Sequence, residues 1–207
     1  MGQVNNYTEA RVLAREVRAK YCLTSARVMV SDLRHMYRTE GIGRLDYWDK
    51  FKGTRLKGAY FNDQFGATVV INKRLINQIE PKVFTLAHEL KHHLADEVVG
   101  VSFCSDDNEK VQLERAADAF ASELIYPVSL FSKDMADRGI GQNNCTAEDL
   151  VHLKHTTKTT LSHSAIALRA ARLGYCDIAI LKTHWFKLRD ELYPEYARYK
   201  RANTFSS

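Results

Sequence analysis

The chain of 207 residues is 45% hydrophobic and 27% charged, enough apolar material to bury a sizeable core in one domain with one appended piece. Its start, MGQVNNYTEA, has neither the basic opening nor the apolar run of a secretory signal, and no later segment is long and apolar enough to span a bilayer; a globular cytoplasmic protein is expected. The net charge of +5 is spread along the chain and decides nothing by itself about a nucleic-acid partner.

Residues 7 to 20 place Ala10, Leu13 and Val17 at helical spacing, with Thr8 as the cap candidate. A second helical segment, VMVSDLRHMYRTEG, stops at Gly41 and has Val28, Leu33 and Met36 as its apolar side. The texture then changes. GRLDYW, LKGAYF and GATVVIN are short, rich in aromatic and β-branched residues, and punctuated by Gly, Asn and Asp, which predicts a small sheet. NDQFG joins the last two as a hairpin loop. From Pro81 the pattern is almost wholly helical: 82 to 96, 109 to 125, a short piece after Pro127, AEDLVHLKHT and LSHSAIALRAARLG. Gly139, Gly141 and the pair Asn143 and Asn144 mark a loop. Cys22, Cys104, Cys145 and Cys176 form no CxxC pair and read as free thiols, with Cys104 a remote candidate for a metal.

The chemistry concentrates in FTLAHELKHHL, residues 84 to 94. His88 and His92 are four apart, so a helix stacks their imidazoles on one face where they can share a metal ion. Glu89 beside them completes HExxH, two nitrogen ligands for zinc and a carboxylate able to take a proton from water. Val83, Ala87, Leu90 and Leu94 give the helix an apolar side, while His93 reads as a solvated bystander.

A catalytic zinc site needs a third protein ligand. The metzincin extension is excluded because Ala95 and Val98 stand where its glycine and histidine belong. Downstream, ERAADAFASELIYP carries Glu114 and Asp118, again four apart, on a helix thinned by Ala116, Ala117, Ala119 and Ala121. If the two helices run antiparallel across the loop at 97 to 108, Glu114 arrives about level with the histidines, and Asp118 is placed to orient a ligating imidazole. Glu109 and Glu123 compete with Glu114 for the ligand role.

FTLAHELKHHL followed by ERAADAFASELIYP resembles the ImmA/IrrE-type metallopeptidases, whose motifs run close to FTLAHELGH and ExxANxFAxxLLMP. VVINK is similar to the strand before that family's catalytic helix, and LSHSAIALRAARLGY to its VSxxAxxxRLxxLGL segment, so the resemblance spans residues 10 to 175. It implies a gluzincin-like Zn2+ site of His88, His92 and Glu114, Glu89 as general base, and an XRE-type helix-turn-helix repressor as protein substrate, cleaved to release genes of a mobile element or a stress response. Departures from the pattern are Lys91 for Gly, expected to add a long cation to the cleft, Asp118 for Asn, and Tyr126 for Met before Pro127. Val83 and Ala170 are milder apolar replacements.

The expected architecture is α+β. A small antiparallel or mixed sheet packs on the HExxH helix within a zincin-like domain, residues 1–137, and a mainly helical subdomain, 138–207, packs on that. GATVVIN is expected as the cleft's edge strand, taking substrate by strand addition. Tyr126, His155 and His163 are candidates for a donor to the oxyanion. The competing reading is a DNA-binding or repressor-sequestering regulator with a structural or vestigial zinc site. It draws on AEDLVHLKHTTKTTLSHSAIALRAARLG, with Lys154, Lys158, Arg169 and Arg172 available to phosphates. Against it, Ala165, Ile166, Leu168 and Leu173 look like core, so direct DNA binding is not favoured. The aromatic, basic tail from Lys182 to Arg201 has no assignment.

Overall fold

Ala10, Leu13, Ala14 and Val17 all point one way from Tyr7–Lys20, and their burial draws that stretch into the first helix, α1. Its N-terminus is capped by Asn6, whose side chain accepts from the Glu9 amide at 2.9 Å, so the cap lies two residues before Thr8. The computed structural model describes residues 6–49, 56–95 and 107–196, with the side chains of 107–110 outside that set. Cys104, Val98 and the side chain of Glu109 therefore lie outside the described residues, as does the tail beyond 196.

Helix α2, Val30–Glu40, ends on Gly41 at φ +88°, a left-handed position that glycine adopts without cost. The chain then enters β1, Ile42–Trp48, β2, Gly58–Asp63, and β3, Gly66–Asn72. β2 and β3 form the antiparallel hairpin, while β1 pairs with β3 in parallel, giving a mixed sheet in the order β1-β3-β2. GATVVIN is thus the central strand and not the edge. Its run Val69, Val70, Ile71 is buried without alternation, as a strand covered on both faces requires. Its backbone groups are taken by two neighbours, so any strand added to this sheet must join β1 or β2.

Helix α3, Ile79–Ala95, packs on β2 and β3, meeting Gly58 with Thr85 and Glu89, and buries Val83, Leu86, Ala87 and Leu90. Burial of a Leu or Val side chain contributes about 1.5–3 kcal/mol. The buried Tyr37 hydroxyl donates to the Leu86 carbonyl at 2.6 Å, fixing α2 against α3. Helix α4, Asp107–Ile125, packs on both α1 and α3, and its Ala116, Ala117 and Ala121 are buried. Its C-terminal carbonyls would be orphaned in the core. Arg18 meets them, donating to the carbonyls of Leu124 at 2.6 Å and Ile125 at 3.4 Å, and also to Leu23 and Ser25.

These elements form one compact unit, which runs to Val128 and takes in Thr159–Leu161; Thr160 is tied to it by a hydroxyl bond to the Val28 carbonyl at 2.8 Å. A second unit holds Ser129–Lys158 and the chain from Ser162 onward. Its helices are α5, Val128–Ala136, α6, Ala147–Thr157, α7, His163–Arg172, and α8, Trp185–Leu192, with a 3-10 turn at Ile178–Lys182. Thr146 and Asp149 form a capping box on α6, and Ser162 caps α7. Phe131, Met135, Leu150, Leu153, Ile166 and Ala170 supply its core. Among the described residues, no helix is long and apolar enough to cross a membrane.

Candidate metal centre

α3 presents His88 and His92 one turn apart, with ring centroids 4.9 Å from each other. The packing of α4 on α3 carries Glu114 to the same point. His88 Nε2 lies 3.1 Å from His92 Nε2 and 3.2 Å from Glu114 Oε2, and His92 Nε2 lies 3.7 Å from Glu114 Oε1. These three residues are a group able to hold a metal ion, each offering one donor atom and all donors within 4.8 Å of one another. A tetrahedral zinc ion with ligands about 2.0–2.2 Å away separates its donors by about 3.4 Å, so both the spacing and the chemistry of this set fit.

Asp118 accepts from His88 Nδ1 at 3.0 Å, leaving Nε2 as the ring nitrogen turned toward the other two donors. Burial pushes the His88 pKa down, but the Asp118 and Glu114 carboxylates outweigh it and raise the pKa to about 10. Proton and metal ion thus compete for the same nitrogen. The histidine side chains are 15% and 13% exposed, against 54% for Glu114, so solvent reaches the group from the α4 side.

Glu89 lies one residue round the helix and is buried, 5% exposed. Burial raises its carboxyl above the ordinary carboxylate range; His88 and His92 pull it back, and Glu114 adds to the rise. Room for this carboxylate comes from Gly58, the first residue of β2: a Cβ there would stand 2.7 Å from Glu89 Oε1 and 2.6 Å from Thr85 Cγ2.

Of the two carboxylates that compete with Glu114, the side chain of Glu109 lies outside the described residues. Glu123 is 1% exposed and accepts from the Val128 amide at 3.1 Å, at the start of α5. Lys91 is not a cation in the cleft; it is fully buried, on the stripe it shares with Ala87 and Ala95 at i±4, both buried as well. Tyr126 is also fully buried. His155 stacks on Tyr193 at 3.7 Å and His163 on Trp185 at 5.8 Å, both inside the second unit. Arg169 is 8% exposed and so is no surface cation for phosphates, and Ile166 is fully buried, whereas Ala165, Leu168 and Leu173 are half-buried.

Two residues near the group carried no sequence signal. His93 is no solvated bystander. Its Nε2–H donates to the Glu40 carbonyl at 2.7 Å and its Nδ1 accepts from the Tyr60 hydroxyl at 2.9 Å, since a carbonyl can only accept. One imidazole therefore ties the end of α2 and the middle of β2 to α3. Gly58 is the other, because nothing in LKGAYF distinguishes a glycine that admits a carboxylate from one that breaks a strand.

Two histidines one turn apart and a glutamate from an adjacent helix, with a small mixed sheet alongside, are the donor set of a metallopeptidase-type site. The chain belongs to the peptidase family M78, described as the IrrE N-terminal-like domain, whose family model matches residues 46–169, more than half of its length. A search of the curated proteins found no match.

Proposed function

We propose that this protein is a zinc-dependent metalloendopeptidase of the cytoplasm, with His88, His92 and Glu114 as metal ligands and Glu89 as general base. The observation that carries the reading is the convergence of those three donors beside a buried carboxylate from the same helix. When bound, zinc polarises the scissile carbonyl and makes water a better acid. Glu89 takes a proton from the attacking water and returns it to the leaving amide nitrogen. Asp118 holds the Nδ1 proton of His88 and with it the orientation of the ring. β2, an edge strand that starts against Glu89, offers backbone groups to an extended substrate.

The substrate we propose is an XRE-type helix-turn-helix repressor, cut at a linker or a locally opened segment, with release of mobile-element or stress-response genes as the outcome. Family membership supports a protein substrate; the repressor rests on the motif resemblance. The test is co-incubation of the purified chain with the XRE-type repressor encoded nearby, read by intact mass. Wild type is expected to yield two fragments. Glu89→Gln is expected to keep its zinc and yield none, and cleavage by that variant would refute the assignment.

The alternative, a DNA-binding or repressor-sequestering regulator, is less well supported because Arg169 is buried and Glu89 has no use in a purely structural zinc site.

A further inference from the structure

The loop before α6 and the turn after α7 lie side by side. The Asn143 amide donates to the Gly174 carbonyl at 2.9 Å, and the Cys145 amide to the Tyr175 carbonyl at 3.0 Å. This pairing sets Cys145 beside Cys176, near enough for each thiol to shift the other's pKa, while the Cys145 thiol donates to the Thr146 carbonyl at 3.5 Å. Both are free thiols, Cys145 buried and Cys176 half-buried. A backbone bond from one cysteine to the residue preceding the other keeps the two Cα atoms within about 7 Å, the outer limit of the span a disulfide bridges.

We infer that Cys145 and Cys176 are a reversible oxidation site, closing to a disulfide under a hydroperoxide and stapling the α6–α7 pair of the second unit. The roles differ. Cys176 is the more exposed of the two and meets the oxidant first; burial pushes the Cys145 thiol up to about 12, so it stays protonated until it resolves the oxidised partner. The Cys176 sulfur attacks hydrogen peroxide, the O–O bond breaks, one oxygen leaves as water and Cys176 becomes a sulfenic acid. The Cys145 sulfur then attacks that sulfur as it gives up its proton. The S–O bond breaks, the second oxygen leaves as water, and the S–S bond forms. Two thiol hydrogens and two electrons have passed to the peroxide. Burial raises the Cys176 thiol as well, and the Cys145 side chain pulls it part of the way back. The bond joins chain positions on either side of two whole helices, and so restricts the unfolded second unit.

The experiment uses the full chain with Cys22→Ser and Cys104→Ser, so that only this pair remains. The protein is treated with hydrogen peroxide, quenched in acid, alkylated and mapped by mass spectrometry. The expected result is loss of two hydrogens, no alkylation at either cysteine, a linked pair of peptides that dithiothreitol separates, and a raised melting midpoint in the oxidised form. Adding Cys145→Ser should leave Cys176 trappable by dimedone, and adding Cys176→Ser should leave Cys145 an unmodified thiol. Two alkylated thiols after treatment would overturn the site, and a dimedone adduct on Cys145 would overturn the order of attack. If the variants do not fold, peptide mapping of oxidised wild type decides the matter: a Cys145–Cys176 peptide supports the site, and a link through Cys22 or Cys104 instead removes it.

Discussion

The carboxylate of Glu89 stands where a side chain on Gly58 would be, with Oε1 2.7 Å from the position of the missing Cβ. No real Cβ tolerates that distance, so the glycine and the glutamate form one fitted pair across the β2–α3 contact. Gly58→Ala must displace the carboxylate, the Thr85 methyl, or the strand. Because the nearest atoms to a Cβ at position 58 belong to Thr85 and Glu89 and not to the three donors, the variant should keep its metal while peptide hydrolysis falls about tenfold or more, the loss lying in kcat. Metal analysis alongside steady-state kinetics checks this, and Thr85→Ser added to Gly58→Ala should recover only the share of the loss due to the methyl.

Among the described residues, Asp118 meets the three-donor group through His88 Nδ1, 3.0 Å away. Removing its carboxylate in Asp118→Ala frees the imidazole to rotate, and metal affinity should fall about 10–100-fold. Competition against a chromophoric chelator measures the change; Asp118→Asn, which can still accept from Nδ1, should lose less.

Arg18 satisfies carbonyls at the end of α4 and in the turn after α1 from within the core. Arg18→Met keeps much of the volume and leaves those acceptors unpaired. Stability should drop by about 3 kcal/mol, seen as a lower urea midpoint with an unchanged slope.

His163 is buried against Trp185, and burial, with help from Lys154 and Arg189, lowers its pKa from 6.5 to about 4. Between those values the unfolded chain binds a proton that the folded one refuses, so stability is full above pH 6.5 and falls as pH drops toward 4. The loss amounts to roughly 3 kcal/mol once pH is below both values. His163→Gln should flatten that part of the pH profile, measured by denaturant unfolding of the second unit at pH 7, 5.5 and 4.

His88, Glu89 and His92 were legible because their spacing is enough: any helix through residues 88 to 92 puts the two imidazoles on one face. The same holds for the helices themselves, whose apolar periodicity and caps are local, and for the strands, whose β-branched runs are local too. Glu114 was legible only jointly, since it needed a second helix, a direction and a loop length to bring it level. The order of the strands was not legible. GATVVIN looks like a strand whichever neighbours it has, and only the parallel pairing of β1 made it central.

The sequence by itself therefore determined the metal-binding pattern, the helical frame that displays it and the family to which the chain belongs, because each is written within a few turns of chain. Tertiary structure alone decided what surrounds the pattern: that β2 is the edge beside Glu89, that Gly58 admits its carboxylate, that His93 ties α2 and β2 to α3, and that Lys91 is inside. Those are contacts between residues far apart in the chain, and no local periodicity records them; they exist only once close packing has chosen which surfaces meet.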